Sequence, residues 1–600
     1  MKIKLSDYVA DKLVEFGCKH VFMVTGGGAM HLNQSLGTNN KMKCIFNHHE
    51  QACAMAAESY SRLTNRLAVV NVTTGPGSTN AITGVHGAWT DSISMMIISG
   101  QVKRETTISS TGLPLRQYGD QEINICKVVD SITKYSHMVI DPSSIKYHLE
   151  KAFYLAISGR PGPCWLDIPI DVQSSIIETD SLKGFNPQEL EVHYVSTDER
   201  REKAIAVLHK IEQAHSPVIF VGSGVRLSGA HEKFIQLINK LNIPVVTGWN
   251  AHDALWDDHP CYVGRPGSVG DRAGNFVVQN ADLLLILGSR LNIRQVSYNW
   301  QSFAAKAYKI WIDIDELEMK KPTVSADMII HDDLADFIPA LITEEYCYSG
   351  KSHENWLIWC QQRRQQYPVV LAEYWHNEKI NPYCFIERLF DQLPEGQIIV
   401  SANGSACVVG FQAAKLKRNQ RFWSNSGCAS MGYDLPAAIG ACIGSGNEPI
   451  VCLAGDGSIM MNLQELQTIV GQNLPIKIFL FNNQGYSSIF QTQKNFFNGS
   501  EVGASPASGV SFPDFEQLSQ GFGIFYLKAK THQELTEVIR QTMKLSGPIL
   551  CEVFLDENQP FAPKLSSKQL DNGSIVSPSI DDMSPFLSAE EMAKNIYLDH

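Results

Sequence analysis

Short apolar runs recur along the whole chain and alternate with segments long enough to form a helix. The runs are rich in Val, Ile and Leu and nearly continuous, so each predicts a strand buried on both faces. They include residues 67–73, 94–99, 217–221, 243–247, 283–287, 309–314, 398–401, 450–453, 476–481 and 549–554. Because such strands alternating with helices are typical of parallel sheets, the pattern predicts an α/β fold.

Two polar stretches interrupt this pattern, near residues 177–200 and 344–375. They divide the chain into blocks 1–175, 190–345 and 370–560, each of ordinary domain size. We therefore expect three doubly wound parallel-sheet domains. Residues 561–600 are rich in Ser, Pro and Asp, which predicts an irregular tail packed over a domain surface.

The charge balance and the cysteines narrow the function classes. The 600 residues include 50 Lys and Arg against 62 Asp and Glu, a net charge of −12 without a basic block, which argues against nucleic-acid or membrane partners. Apolar runs such as 281–288 are far shorter than the ~20 residues that cross a bilayer. The first residues lack a signal-peptide apolar stretch, and the 14 cysteines form no C-x-x-C pair. Since this fits reduced thiols, we expect a cytoplasmic enzyme.

The most specific motif consists of two elements, each placed directly after a predicted strand of the third block. Gly455-Asp456-Gly457-Ser458 follows the run 450–453, and Asn482-Asn483 follows the run 476–481. The carboxyl ends of parallel strands are where such sheets bind ligands, and Mg²⁺ prefers oxygen ligands. Asp456, Asn483 and the carbonyl of Gly485 could supply them. A tight Asp-Gly turn next to an unrelated Asn pair is the alternative.

These two elements resemble the cofactor motif of thiamine-diphosphate-dependent enzymes. The resemblance implies that Asp456, Asn483 and the Gly485 carbonyl hold magnesium, and that Gly457 and Ser458 contact the diphosphate. It also implies that the third block is the diphosphate-binding domain, that the first block binds the pyrimidine and that the second is a central nucleotide-binding-like domain.

The first block offers the carboxylate that this cofactor requires. Asn47-His48-His49-Glu50 enters an Ala-rich helix, which resembles the family's strand-end His-Glu. The resemblance implies that Glu50 is a catalytic residue that hydrogen-bonds the aminopyrimidine ring. Taken alone, Glu50 could instead be a helix N-terminal charge that complements the helix dipole.

Further segments resemble the acetolactate synthases, notably residues 73–80 and 426–440. In that resemblance Met431 wedges the cofactor into a bent shape, although a Met is also ordinary core filler. The resemblance also implies cofactor contacts by Gly27, Thr74, Gly404 and Ser405.

Three positions depart from the acetolactate synthase pattern toward polarity. Asp120 stands beside the retained Gln121, Asp434 replaces a Gly, and Thr492 stands where those enzymes use Trp. Gln121, a catalytic candidate, and Gln101 would line the substrate side. A cavity built to hydrogen-bond a polar substrate rejects apolar ones, so we expect an acceptor with hydroxyls or charge, although each change could also be surface drift.

The central block resembles the FAD domain of acetolactate synthases. It contains Gly222-Ser223-Gly224, and Arg290 and Arg294 could meet a pyrophosphate while Asp313 meets a ribose. In many relatives the same fold is empty or binds another nucleotide, so FAD stays an open alternative and would be structural.

The resemblance as a whole implies thiamine-diphosphate- and Mg²⁺-dependent decarboxylation of a 2-oxo acid such as pyruvate, followed by carboligation to a polar carbonyl acceptor. The alternative is a non-ligating decarboxylase that releases an aldehyde. A nicotinamide dehydrogenase is disfavoured because the Gly222-x-Gly224 pattern lacks its third glycine, and a non-enzymatic homologue because Glu50, Asp456 and Asn483 are intact. Since Glu50 and Asp456 fall in different domains, the resemblance implies a homodimer or homotetramer with the site between chains.

Overall fold

The computed structural model describes residues 1–190, 195–344, 352–497, 499–569, 573 and 575–598. Parts of both predicted joints, residues 191–194 and 345–351, lie outside the described residues, as do residues 570–572, 574, 599 and 600 of the predicted tail. Three six-stranded sheets form the body of the molecule, and every neighbouring pair of strands in them is parallel. The predicted α/β class with three doubly wound parallel sheets is confirmed.

The first block, between Met1 and Glu178, contains the first six-stranded sheet and a separate antiparallel pair made by its first and last strands. The strands are β1 (Lys2–Lys4), β2 (His20–Met23), β3 (Lys43–Phe46), β4 (Ala68–Val72), β5 (Met95–Gln101), β6 (Tyr135–Met138), β7 (Pro163–Pro169) and β8 (Ile176–Glu178). The helices are α1 (Leu5–Glu15), α2 (Met30–Thr38), α3 (Glu50–Thr64), α4 (Pro76–Asn80), α5 (Ile82–Thr90), α6 (Ile108–Thr111), α7 (Ile125–Val129), α8 (Ile145–Ile157) and α9 (Ile170–Gln173).

The central sheet follows. Its strands are β9 (Pro217–Val221), β10 (Val245–Thr247), β11 (Tyr262–Gly264), β12 (Leu283–Leu287), β13 (Tyr308–Asp313) and β14 (Met328–His331). The helices are α10 (Thr197–Gln213), α11 (Gly224–Leu227), α12 (His231–Leu241), α13 (Arg272–Asn280), α14 (Ile293–Val296), α15 (Glu316–Met319), α16 (Leu334–Thr343) and α17 (Glu354–Gln366).

The third sheet and the tail complete the chain. The strands are β15 (Ile398–Ser401), β16 (Arg421–Trp423), β17 (Ile450–Gly455), β18 (Ile476–Asn482), β19 (Phe525–Ala529), β20 (Ile549–Phe554), β21 (Lys568–Gln569) and β22 (Ile575–Val576). The helices are α18 (Pro382–Gln392), α19 (Ser405–Ala413), α20 (Asp434–Gly444), α21 (Asp456–Ile459), α22 (Glu465–Gly471), α23 (Ser487–Phe496), α24 (Phe515–Phe522), α25 (His532–Lys544) and α26 (Ala589–Ala593).

The first and third sheets share one topology. Their strand orders, β3-β2-β4-β5-β7-β6 and β16-β15-β17-β18-β20-β19, match strand for strand, whereas the central sheet has the order β11-β10-β9-β12-β13-β14. In the first and third sheets the order reverses at one edge, where β7 and β20 lie inside β6 and β19. In each of the three sheets the connections also run to opposite sides of the sheet's first strand along the chain, which places a switch point between β2 and β4, between β9 and β12, and between β15 and β17. Open α/β sheets bind ligands at the carboxyl ends of the strands at this switch point, so each sheet has one expected ligand crevice.

The first and third blocks pack against each other through α3 and α20. A Cβ added to Gly440 would lie 1.9 Å from the carbonyl oxygen of Ala56, so only a glycine allows the two helices to approach this closely. Ser59 in α3 donates to the Ala437 carbonyl over 2.7 Å. One buried apolar cluster runs through both blocks, which fixes the orientation of Glu50 at the start of α3.

Apolar continuity predicted most inner strands of the sheets but missed the inner strands β2 and β7 and the outer strands. The runs 217–221, 283–287, 398–401 and 549–554 coincide with β9, β12, β15 and β20. Eight strands of the three sheets are not among the predicted runs: β2, β3, β6, β7, β11, β14, β16 and β19. Several of them are only three or four residues long and include a charged or polar residue, as Lys43 in β3 and Arg421 in β16, so they form no continuous apolar run.

The chain after β20 lies across the third and central blocks. Arg272 of the central block donates to the Met583 carbonyl over 3.2 Å, and Leu565 donates its backbone N–H to Ser268 over 2.7 Å. Among the described residues, no helix combines the length and apolar character that crossing a membrane requires.

Candidate active site

The switch point of the third sheet gathers the polar residues predicted for the diphosphate. The chain leaves β15 through Gly404, whose φ of 83° favours glycine, and then enters α19 at Ser405. It leaves β17 at Gly455 and enters α21 at Asp456. The two loops thus meet at the one crevice where this sheet is expected to bind a ligand.

Asp456 is fixed by backbone donors. Its Oδ1 accepts from the N–H of Gly457 over 2.8 Å, and its Oδ2 accepts from the N–H groups of Asn483 and Gly485, each over 3.1 Å. Burial raises the pKa of this carboxyl to about 7, although the backbone donors lower it. A buried carboxylate that a cation would stabilise fits a metal ligand.

Asn483 completes the oxygen set that a cation needs. Its Nδ2 donates to Ser405 Oγ over 3.0 Å, while its Oδ1 is buried and has no hydrogen-bond partner among the described residues. A buried oxygen without a donor is costly unless something binds it. Gly485, with a φ of 151°, leaves no room for a side chain, since a Cβ would lie 2.2 Å from the Ala504 carbonyl oxygen. These residues fit Mg²⁺, and the described residues include no competing cluster of three or more His, Cys, Asp or Glu.

A cavity of about 430 Å³ opens above this crevice. Its lining includes the sequence-predicted residues Gly404, Ser405, Met431, Asp456, Gly457, Ser458, Gly485 and Thr492. Gly457 allows the neighbouring ring of Tyr486 to pack against the loop, because a Cβ there would lie 2.1 Å from the ring. The third block therefore brings its predicted site residues together, apart from Asp434.

Asp434 lies behind the cavity rather than in its wall. It is fully buried at the first residue of α20, and its Oδ1 accepts from the N–H of Leu435 over 2.9 Å. The Ser458 hydroxyl accepts from the N–H of Gly432 over 2.9 Å and lies near Asp434, whose Oδ2 is buried and has no hydrogen-bond partner among the described residues. Burial raises the pKa of Asp434 to about 6. Asp434 therefore lies behind the Ser458 loop and does not line the cavity as a substrate contact.

Glu50 begins α3, directly after the strand-end segment that follows β3. The side chain of His49 caps the helix by accepting from the N–H of Gln51 over 3.1 Å. The Glu50 carboxylate is half-buried and accepts from Asn80 Nδ2 over 3.0 Å. Asn80, at the end of α4, was not singled out from the sequence, although it closes the glycine-rich segment 73–80.

The loops around Glu50 contain the other residues predicted for the pyrimidine end. Thr74 donates to the Gly100 carbonyl over 3.1 Å, and the backbone carbonyl of Gln121 lies against Gly75, where a Cβ would be only 2.2 Å away. Gly27 lies at the carboxyl end of β2 with open space on its side-chain face. The first block therefore assembles Gly27, Thr74 and Gln121 at its own switch point.

Gln101 and Asp120 do not extend this group. Gln101 is buried, and its Nε2 donates to Asp167 Oδ2 and to the Ile123 carbonyl, each over 2.9 Å. Its Oε1 accepts from the N–H of Val102 over 3.0 Å. The polar atoms of the Gln101 side chain therefore all form hydrogen bonds inside the first block. Asp120 is exposed to solvent in the single chain.

The two half-sites of one chain remain separate. The first and third blocks touch beside Glu50, where Asn47 donates to Glu465 over 2.8 Å and Asn462 donates to Gln51 over 3.0 Å. However, no residue from 1–190 lines the diphosphate cavity in the described part of the chain. Glu50 and the Asp456 crevice therefore do not share a cavity within one chain.

Several cavity residues were not predicted for the diphosphate site from the sequence, and two of them are cationic. Arg294, expected at a nucleotide pyrophosphate, instead lines the diphosphate cavity with its guanidinium 5.1 Å from the ring centre of Trp249, another lining residue. Lys564 enters the same cavity from the tail. A strand-end motif could not have located them, since both reach the cavity from outside the third sheet.

The switch point of the central sheet opens into a second cavity, of about 330 Å³. Gly222, Gly224, Arg290 and Asp313 line it, and burial raises the pKa of Asp313 to about 6. Arg290 and Asp313 therefore lie together as expected from the sequence, whereas Arg294 does not join them.

Three family models match the chain in the order of its sheets. They are the thiamine pyrophosphate enzyme N-terminal TPP binding domain over residues 3–128, the central domain over 205–341 and the C-terminal TPP binding domain over 402–553. Each match covers most of one sheet, and the first and last include the Glu50 and Asp456 regions.

Similar proteins span almost the whole chain. The acetolactate synthase large subunit of Cyanidium caldarium is 32% identical over 580 residues, 93% of this chain and 95% of that protein. Acetolactate synthase 1, chloroplastic, of Zea mays is 31% identical over 94% of this chain and 87% of that protein. The large subunit of Porphyra purpurea is 30% identical, with 93% and 92% covered. The chain therefore belongs to the thiamine-diphosphate-dependent enzymes of the acetolactate synthase-like family.

Proposed function

We propose that the protein decarboxylates a 2-oxo acid such as pyruvate and joins the remaining two-carbon unit to the carbonyl of a polar acceptor. The observation that carries this proposal is the crevice at the third switch point, where the buried Oδ1 of Asn483 has no described partner beside the carboxylate of Asp456. It fits the magnesium and diphosphate of the family cofactor, which when bound supplies the carbon nucleophile and accepts the electrons released with carbon dioxide.

The residues of this chain would hold and orient the reactants. Asp456, the Asn483 Oδ1 and the Gly485 carbonyl would bind Mg²⁺, while Gly404, Ser405, Gly457 and Ser458 would hold the diphosphate. Glu50 would hold a proton at the ring nitrogen of the pyrimidine, and Gln121 would face the reacting carbonyl. Met431, in the cavity wall, would set the bend of the cofactor and so place the reacting atoms close together.

We further propose that the complete site forms between two copies of the chain, in a homodimer or homotetramer. Glu50 does not share the diphosphate cavity within one chain. Large apolar side chains lie exposed next to both half-sites, with Met30 51%, Phe46 49% and Met461 49% exposed. Exposed apolar side chains of this kind indicate a protein interface, and a second copy would bring a first block to each third block.

Two further points belong to the same proposal. The 13 described cysteines are all free, which supports a reducing compartment such as the cytoplasm. The central cavity, lined by Gly222, Gly224 and Asp313, is suited to a nucleotide, and FAD is one candidate for it. A yellow colour of the purified protein would identify a flavin.

The experiment is an assay of carbon dioxide and products from pyruvate with thiamine diphosphate and Mg²⁺, with and without hydroxylated aldehydes and keto sugars. Carbon dioxide with a ligated product is expected, whereas an aldehyde alone would identify a non-ligating decarboxylase. Glu50→Gln should keep cofactor binding, measured by quenching of Trp fluorescence, and lose turnover. Undiminished carbon dioxide release by this variant would remove Glu50 from the mechanism.

A further inference from the structure

The tail carries one lysine into the diphosphate cavity, and the backbone on both sides of it is fixed. The Ala562 N–H donates to Tyr383 Oη over 2.9 Å, and Gln412 Nε2 donates to the Pro563 carbonyl over 2.6 Å. Lys564 itself forms a backbone bridge with Ser584, with N–H to carbonyl distances of 3.0 and 2.8 Å. These hydrogen bonds therefore fix the backbone of Lys564 beside the cavity.

The ammonium group of Lys564 has no partner in the described part of the chain. Lys564 is half-buried, and no hydrogen bond or ion pair of its Nζ exists among the described residues. Among the described lysines, burial lowers the pKa of five, and Lys564 is one of them. In the other four, Nζ donates to a backbone carbonyl: Lys134, Lys309, Lys321 and Lys477. Burying a cation without compensation is unfavourable, so this position has a cost that the described residues do not offset.

The cavity around Lys564 is cationic, although the chain is acidic. The charged lining residues are Arg294, Asp456 and Lys564, and Asp456 already accepts three backbone N–H groups within the proposed metal site. Arg294 stacks on Trp249 and has no carboxylate partner in the described part of the chain. Two cations that have no acidic partner among the described residues therefore line one cavity, together with Thr492 and Gln491.

We infer that Lys564 is a specificity-determining residue that binds an anionic group, carboxylate or phosphate, on the carbonyl acceptor, with Arg294 as its neighbour. The inference rests on the proposed function and adds the charge of the acceptor to it. Phe561, in the same tail segment, donates its N–H to Gln491 Oε1 over 3.1 Å, so the tail and α23 together form this side of the cavity. A charged donor on a pinned backbone recognises an anion without further ordering of the chain.

The test compares Lys564→Met with wild type in the enzyme loaded with thiamine diphosphate and Mg²⁺, with pyruvate as donor. Two acceptor pairs differ mainly in charge: glyceraldehyde against glyceraldehyde 3-phosphate, and butanal against 4-oxobutanoate. For wild type we expect a KM about tenfold or more lower for the charged member of at least one pair, as for a hydrogen bond to a charged group. Added salt should weaken this preference. Lys564→Met should abolish it, and Lys564→Arg should retain most of it.

The matched control is Lys568→Met, because Lys568 is paired with Asp582 over 3.0 Å and does not line the cavity. It should leave every KM unchanged. A wild type with no preference for charge in either pair would overturn the inference, and so would a Lys564→Met variant that changes the cofactor Kd or the pyruvate KM instead of the acceptor KM. Failure of wild type to release carbon dioxide from pyruvate would count against the proposed function itself, whereas release without charge preference counts against this inference alone.

Discussion

Asn80 Nδ2 donates a hydrogen bond to Glu50 Oε2 over 3.0 Å. The two residues come from different helices, since Asn80 ends α4 and Glu50 begins α3. The bond occupies one carboxylate oxygen and leaves the other, Oε1, for a ligand. Asn80 is therefore a positioning residue that acts through Glu50 in the proposed mechanism.

Asn80→Ala should lower kcat about tenfold, the effect of losing one hydrogen bond to a charged group, because the Glu50 carboxylate is no longer held in one orientation. The cofactor Kd should stay within about twofold of wild type. Thr79→Ala is the matched control, since the Thr79 hydroxyl only donates to the Pro76 carbonyl in its own helix, over 3.3 Å. Equal losses of kcat in both variants would show that α4 tolerates no change and that Asn80 has no separate role.

A mixture of Glu50→Gln and Asp456→Asn chains should regain activity that neither variant has alone. In a mixed dimer with sites between chains, one site would combine the intact Glu50 of one chain with the intact Asp456 of the other. Random exchange of subunits would give about a quarter of wild-type activity. The measurement is carbon dioxide release after the two inactive proteins are unfolded and refolded together, with each refolded alone as control. No recovery in a verified mixed dimer would place the whole site within one chain.

Asp434→Asn should stabilise the cofactor-free protein at neutral pH and have little effect in acid. Burial raises the pKa of Asp434 to about 6, so the fold favours the neutral carboxyl. This contribution to the free energy of unfolding is complete below the unfolded-chain pKa of about 3.9 and is lost as pH rises through about 6. The amide does not ionise, so its advantage should grow over this range to at most about 3 kcal/mol.

The measurement is thermal unfolding of Asp434→Asn and wild type at several pH values between 4 and 8. Asp7→Asn is the control, because Asp7 is only half-buried and hydrogen-bonds Ser35 in the first block, away from Ser458. A difference in Tm between Asp434→Asn and wild type that stays constant from pH 4 to 8 would contradict a titration of Asp434 in this range.

Thr492→Trp should exclude polar acceptors. Thr492 is exposed on α23, lines the diphosphate cavity and makes its side-chain hydrogen bond within its own helix, to the Ser488 carbonyl over 2.9 Å. The substitution should therefore leave the fold intact while filling the cavity and removing a hydroxyl. We expect the KM of a hydroxylated acceptor to rise about tenfold or more, measured with pyruvate as donor. Thr492→Ser, which keeps the hydroxyl, should behave like wild type.

The local sequence determined the α/β class and the positions of two residues of the diphosphate site. Asp456 and Asn483 each follow a continuous apolar run, and such runs become neighbouring parallel strands whose carboxyl ends meet. The positions of these two residues followed from that rule alone. Glu50 was identified only through the resemblance of its segment, residues 47–50 before an Ala-rich helix, to the strand-end His-Glu of the family.

The tertiary structure alone decided which way several other side chains point. Gln101 lies at the end of β5 and could face a substrate, but it turns inward to Asp167 because that buried carboxylate needs donors. Asp434 likewise lies behind the loop of Ser458. Arg294 and Lys564 meet in one cavity only because the central block and the returning tail both pack on the third sheet. Periodicity encodes elements and their ends, whereas the approach of distant segments depends on packing over the whole chain, which no local pattern contains.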